Sequence, residues 1–233
     1  MNNIFNKMNE DSTKLYVQYG AGNEAVQGWL NFDASPTLRI QKMPLIGRLL
    51  RSRLNCIFDD DIFYGDIVKG LPIKANSVDG LFCSHVLEHL SYHDFSLALN
   101  NSFEYLKPGG VFRLIVPDLE FYIKKYQSSL TSNDHDKRAS AAIEFCKGTC
   151  FGVEGSRFTL VERFIDIFRN SSHRWMWDYF SLTKALQEHG FINIKKFHRG
   201  FCADKMFLLP ERPHQFGGDE AYGLALECSK PFE

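Results

Sequence analysis

Residues 19–33 read YGAGNEAVQGWLNFD. A Gly-x-Gly turn, Gly20 to Gly22, leads into a short apolar run that ends in a carboxylate, Asp33, 11 positions beyond Gly22. Glycines let a backbone approach a ligand closely, and an acid at the end of a second strand can accept both hydroxyls of a ribose. A dinucleotide fold sets that acid about 20 residues past its glycines and holds pyrophosphate on a full helix N-terminus. Here only Asn23 to Gly28 lie between loop and strand, fewer than two helical turns. The stretch therefore predicts a site for a ligand with ribose and adenine but little or no phosphate.

Outward from this stretch, the text alternates strands and helices. Leu15 to Tyr19 and Trp29 to Phe32 read as the first two strands, Val78 to Cys83 and Val111 to Val116 as later ones. Ser91 and Asp94 read as a capping box for a helix that buries Phe95, Leu99, Phe103 and Leu106 and stops at LKPGG. Residues 119 to 180 break this rhythm: they are aromatic, helical in pattern and interrupted by QSSLTSNDHDKR, and read as an inserted helical cap. A helix around Lys184 to His189, the strand FINIKKF and a terminal antiparallel strand near 222 to 228 complete a mostly parallel seven-stranded α/β sheet.

The totals fit one domain spanning 1–233, with 44% hydrophobic and 24% charged residues. A net charge of -1 gives no field for nucleic acid, so no nucleic-acid partner is expected. The start MNNIFNKMNE lacks the apolar run of a signal peptide, and no stretch has the roughly 20 apolar residues of a membrane span. A soluble, cytoplasmic protein is expected, with six cysteines kept reduced. Residues 44 to 54 read as a basic amphipathic helix, which either packs on its own domain or meets an anionic surface.

In open α/β sheets the ligand lies beyond the carboxyl ends of the strands. The residues there are Gly20 to Gly22, Asp33, Asp66, Ser84 with His85, and Asp118. GAGNEAVQGWLNFD, YGDIVKGLPIKANSVDGLFCSHVLEHL and LKPGGVFRLIVPD, in this order, resemble the class I S-adenosylmethionine-dependent methyltransferases, with their Rossmann-like fold. The likeness is to the bacterial type 11 group, many of whose members accompany surface-polysaccharide genes, and HRWMWDYFSLTKALQEHGF resembles that group's later region. The resemblance implies that S-adenosylmethionine is bound by Gly20, Ala21 and Gly22 at its methionine part, by Asp33 at the ribose, and by Asp66 with the Ile67 backbone at the adenine. Ser84 and His85 would line the methyl-donor end. Gln18, where many class I enzymes have an acid, and Glu24, in place of a third glycine, depart from the family pattern.

His85, Glu88 and His89 spell H-x-x-E-H, which is also a zinc-peptidase pattern. In those enzymes both histidines sit on one long helix, whereas this run begins at a strand end and meets a new cap at Ser91. Some O-methyltransferases that resemble this segment bind a divalent ion through E-x-x-E-H; here His85 replaces the first glutamate. Closure of a helix end by hydrogen bonds from Glu88 and His89 is the preferred reading, so a metal is not expected. Transfer to an alcohol needs a base, for which His85, His89 and His173 are the candidates. His173 stands beside Arg174, Trp175 and Trp177, a mixture that suits a sugar or an anion as well as a core. A sugar or other small-molecule hydroxyl is the expected acceptor. The alternatives are a non-catalytic cofactor-binding partner module and a metal hydrolase built on His85, Glu88 and His89.

Overall fold

Short runs of β-branched and aromatic residues form the strands, and in a computed structural model they assemble into one sheet. The structure describes residues 14–44, 47, 56–152, 172–211 and 223–232. Strands β1 (Tyr16–Tyr19), β2 (Leu30–Asp33), β3 (Ile62–Tyr64), β4 (Val78–Ser84), β5 (Leu106–Pro117), β6 (Ile192–Phe197) and β7 (Gly223–Ser229) lie in the order β3-β2-β1-β4-β5-β7-β6. Only β7 runs antiparallel to its neighbours. The expected mostly parallel α/β sheet, with its terminal antiparallel strand, is thus observed.

Alternation along the strands sends side chains to two cores. Val17, Tyr19, Leu81, Cys83, Phe112, Leu114 and Val116 face one, closed by Phe95, Ala98 and Leu99 of α2 (Tyr92–Tyr105) and by Leu182, Ala185 and Leu186 of α5 (Tyr179–Glu188). Burial of each such large side chain stabilises by about 1.5–3 kcal/mol. Tyr16, Phe82 and Ile115 face the other core. No helix follows β1, because residues 20–29 form only turns. Trp29 and Phe207 cover that face instead, their rings 6.0 Å apart and edge to face.

On the same face Arg113 is fully buried between two carboxylates, Glu211 and Glu227, each 2.8 Å from its guanidinium. This triad ties residues 199–211 to the sheet, since Glu211 also accepts from Gly200 N–H and Glu227 from Ala203 N–H. In helix α1 (Pro36–Gln41), Ser35 caps the first turn and Leu38 packs on Phe58 and Ile62. The basic helix expected over 44 to 54 lies outside the described residues apart from Pro44 and Gly47.

Two details differ from the sequence reading. LKPGG does not separate helix from strand: α2 ends at Tyr105, and β5 starts at Leu106, which is buried and pairs with Val78. Gly110 permits this, because a Cβ there would lie 2.9 Å from the Val78 carbonyl. Ser91 Oγ does accept the Asp94 N–H, but the reciprocal capping box forms at Asp178 and Ser181.

After β5 the chain leaves the sheet through Asp118 and enters α3 (Leu119–Leu130) and α4 (His135–Gly148), packed on each other through Tyr126 and Phe145. It returns at Trp177, whose carbonyl accepts the Leu119 N–H at 2.9 Å beside an Asp118–Trp177 bridge. Among the described residues no helix is long and apolar enough to cross a membrane.

Candidate active site

The glycine loop turns immediately after β1. Gly20 and Gly22 adopt φ of +70° and +66°, a region that side chains other than glycine seldom enter. A Cβ on Gly20 would fall 2.1 Å from Val86 Cγ2, so the loop presses directly on the turn that follows β4. Gly22 has open space where its Cβ would stand, and its N–H donates to Asp33 Oδ2 at 3.1 Å. Asp33 Oδ1 accepts the Ser35 N–H at 2.7 Å. Burial raises the Asp33 pKa above the ordinary carboxylate range, and the two backbone donors act against that rise. Gly20, Ala21, Gly22 and Asp33 are therefore one connected cradle, Ala21 being tied to β2 by its N–H on the Phe32 carbonyl.

The short connection from loop to β2 is held by a residue that the sequence reading missed. Asn31, 1% exposed, accepts from Val26 N–H and from the Gln18 side chain, and donates to the carbonyls of Val26 and Trp29. Gln18, at the position where the resemblance leads one to expect an acid, is thus the partner of a buried neutral amide. Its inward register on β1, opposite Asn31 on β2, was the available signal.

Asp66 and Ile67 sit after β3, apart from the glycine loop in chain but on the same edge of the sheet. Asp66 Oδ1 accepts the Val68 N–H at 3.0 Å and Oδ2 pairs with Lys69 at 3.1 Å, so its carboxylate closes its own turn. The Ile67 side chain is buried and its carbonyl accepts from Asn101 at 2.6 Å.

At the end of β4, Ser84 Oγ is buried with no hydrogen-bond partner among the described residues. An unpaired buried hydroxyl beside the glycine loop fits a ligand-binding edge. His85 takes φ +54° and donates its N–H to the Ile115 carbonyl, while its Nδ1 lies 3.1 Å from Glu88 Oε1. Leu87–His89 is a single 3-10 turn. The long helix required by a peptidase is not formed by this run, and the hydrolase alternative is not favoured.

His173 arrives from the far side of the insertion. Its ring lies 5.0 Å from that of His89, edge to face, and Arg174 and Trp175 donate their N–H groups to the Glu88 carbonyl. Burial lowers the His173 pKa; Glu88 acts against that, and so does a backbone hydrogen bond at Thr149. The three candidate histidines thus gather around Glu88, which is fully buried. Asp118, the remaining strand-end acid, caps α3 and pairs with Lys196 at 3.2 Å.

A family model described as a methyltransferase domain matches residues 47–114, which span β3 to β5 and the HVLEH turn. No curated protein matches the chain. Among solved structures, the chain is similar to one from the Haloferax volcanii complex between the Trm112 methyltransferase activator and a methyltransferase: 16% identity, TM-score 0.48, covering 98% of this chain and 87% of that one. It is also similar to a SAM-dependent methyltransferase from Archaeoglobus fulgidus, at 12% identity, TM-score 0.47, and 97% and 89% coverage. A third is a SAM-dependent methyltransferase from Methanosarcina mazei, at 14% identity, TM-score 0.46, and 99% and 97% coverage. The domain match on this sheet supports a methyltransferase that uses S-adenosylmethionine.

Proposed function

We propose that the chain transfers a methyl group from S-adenosylmethionine to a hydroxyl of a sugar or another small molecule. The observation that carries this is the contact of Gly20 with Val86, which sets the cofactor loop against the turn bearing His85, Glu88 and His89. The Gly22–Asp33 cradle suits the methionine part and ribose, and the buried Ser84 hydroxyl suits the donor end. When bound, S-adenosylmethionine would supply an electrophilic methyl: the acceptor oxygen bonds to that carbon as the S–CH3 bond breaks, and S-adenosylhomocysteine leaves. Asp66 and the Ile67 backbone line the adenine end of the same edge. His85, His89 and His173 receive the acceptor hydroxyl and take up its proton, a task for which a positioned imidazole is suited.

The carbohydrate reading is supported by a groove of about 200 Å³ lined by Tyr92, Trp175, Trp177, Lys184 and Glu188, the two tryptophans following His173 in the chain. Flat ring faces beside polar side chains are a common setting for a pyranose. Calorimetry with S-adenosylhomocysteine tests the cofactor, and incubation with nucleotide sugars followed by mass spectrometry tests the acceptor. Micromolar binding and a product heavier by one methylene are expected. No binding at millimolar ligand would overturn the reading.

A further inference from the structure

Hydrogen bonding alone, which the sequence reading preferred for Glu88, leaves part of this cluster unexplained. Glu88 is 0% exposed, and while Oε1 meets His85, Oε2 has no hydrogen-bond partner among the described residues. A buried carboxylate oxygen without a partner is expensive, and in native structures such an atom usually marks a water or an ion. His173 Nδ1 is likewise buried and without a partner among the described residues. One ligand atom each from Glu88, His89 and His173 lies within 4.8 Å of the other two.

We infer that Glu88, His89 and His173 form a binding site for a divalent transition metal of the zinc class. Donor atoms about 2.1 Å from a tetrahedral ion lie about 3.4 Å apart, so atoms spread over as much as 4.8 Å would close by up to about 1.4 Å on binding, within the reach of side-chain rotation. Both histidines carry the outer hydrogen bonds that metal-bound imidazoles usually have. His89 Nδ1 is turned to the Ser172 carbonyl at 3.3 Å, which leaves Nε2 with the lone pair, and His173 is held by a backbone bond at Thr149. Two imidazoles and one carboxylate with a fourth position open are the donor set of catalytic zinc, and their nitrogen content disfavours magnesium. His85 is outside the set; it fixes the other oxygen of Glu88. The ligands come from the turn after β4 and from the irregular segment that returns from the insertion, so the ion would join the two.

The inference rests on the proposed methyl transfer only for its consequence: an acceptor hydroxyl in the open position would be acidified by the ion, and His89 and His173 would act through it instead of as bases. The site itself is tested without turnover. Chelator-stripped protein is titrated with zinc and with cobalt, by calorimetry and by visible absorption of the cobalt form. One ion per chain at micromolar or tighter Kd and a cobalt band of low-coordinate type are expected. Glu88→Gln and His173→Ala should each weaken binding about a hundredfold or more, since loss of even an outer-shell partner typically costs 10–100-fold. His89→Ala, at a partly exposed position, gives a third variant less prone to misfolding, and His93→Ala on the exposed face of α2 should bind as the parent does. Absence of zinc and cobalt binding, binding of magnesium alone, or affinity unchanged in all three ligand variants overturns the site. S-adenosylhomocysteine binding, measured on the same samples, reports folding and separates this outcome from failure of the methyltransferase reading.

Discussion

Replacing Asp33 by alanine is expected to weaken S-adenosylhomocysteine binding on the order of a hundredfold. Each oxygen of the carboxylate already holds one backbone N–H, from Gly22 at 3.1 Å and Ser35 at 2.7 Å, and retains a second lone pair for a ribose hydroxyl. Hydrogen bonds to a charged group contribute about 1.5–3 kcal/mol each. Two at the lower bound give about 3 kcal/mol, and 1.4 kcal/mol is tenfold in Kd, which sets the estimate. Asp33→Asn keeps one acceptor oxygen and should fall between the two, near tenfold.

The pH dependence gives a second reading of the same group. Burial raises the Asp33 pKa in the ligand-free fold, so the ionised form destabilises that fold: its contribution to stability is full below the unfolded pKa and is lost as pH rises through the folded one. Ribose hydroxyls stabilise the ionised form, so affinity should increase as pH rises through the folded pKa. The acid limb should therefore begin above the ordinary aspartate value of about 3.9. Calorimetry between about pH 4 and pH 8 on wild type and Asp33→Asn measures it. Alanine binding within threefold of wild type, or identical acid limbs in both proteins, would refute the assignment.

Gly20→Ala should abolish cofactor binding and lower the melting temperature, because its Cβ would meet Val86 at 2.1 Å, whereas Gly22→Ala meets open space and adds only the left-handed strain of about 1–2 kcal/mol. Asn31→Ala should destabilise by about 2–4 kcal/mol, since buried partners in Gln18, Val26 and Trp29 lose their bonds; chemical denaturation reads this directly. Arg113→Met should cost about 3–5 kcal/mol by leaving Glu211 and Glu227 buried without their cation, and a triple change that also makes both glutamates apolar should recover much of the loss. In a thiol-reagent time course on native protein, exposed Cys146 should react first, while Cys83 and Cys228, whose pKa burial raises far above the usual thiol range, should wait for unfolding.

The cradle was legible because its requirements are local. Positive φ at Gly20 and Gly22 calls for glycine, and a carboxylate at the end of a short apolar run announces itself in one dimension. The shortness of residues 23–28 was legible for the same reason, as it excludes a helix by length alone. What was not legible depends on partners distant in the chain. The Ser172 carbonyl that orients His89 is 83 positions away, across the whole insertion. KPGG looks like a helix stop followed by a turn, yet pairing of Leu106 with Val78 recruits it into β5, since tertiary pairing outweighs local preference. Asp66 has two roles superposed: one oxygen accepts the Val68 N–H and the other pairs with Lys69, contacts that its position at a strand end does not announce.

The insertion between β5 and α5 leaves the sheet at Asp118 and re-enters it beside that residue at Trp177, with the Leu119 N–H on the Trp177 carbonyl. Mechanically this is a handle with both ends fixed to one bracket. Under the proposed reading, in which the acceptor lies against residues 172–177 at the returning end, a change of acceptor would call for new side chains on the handle while Asp118 and Trp177 stay in place.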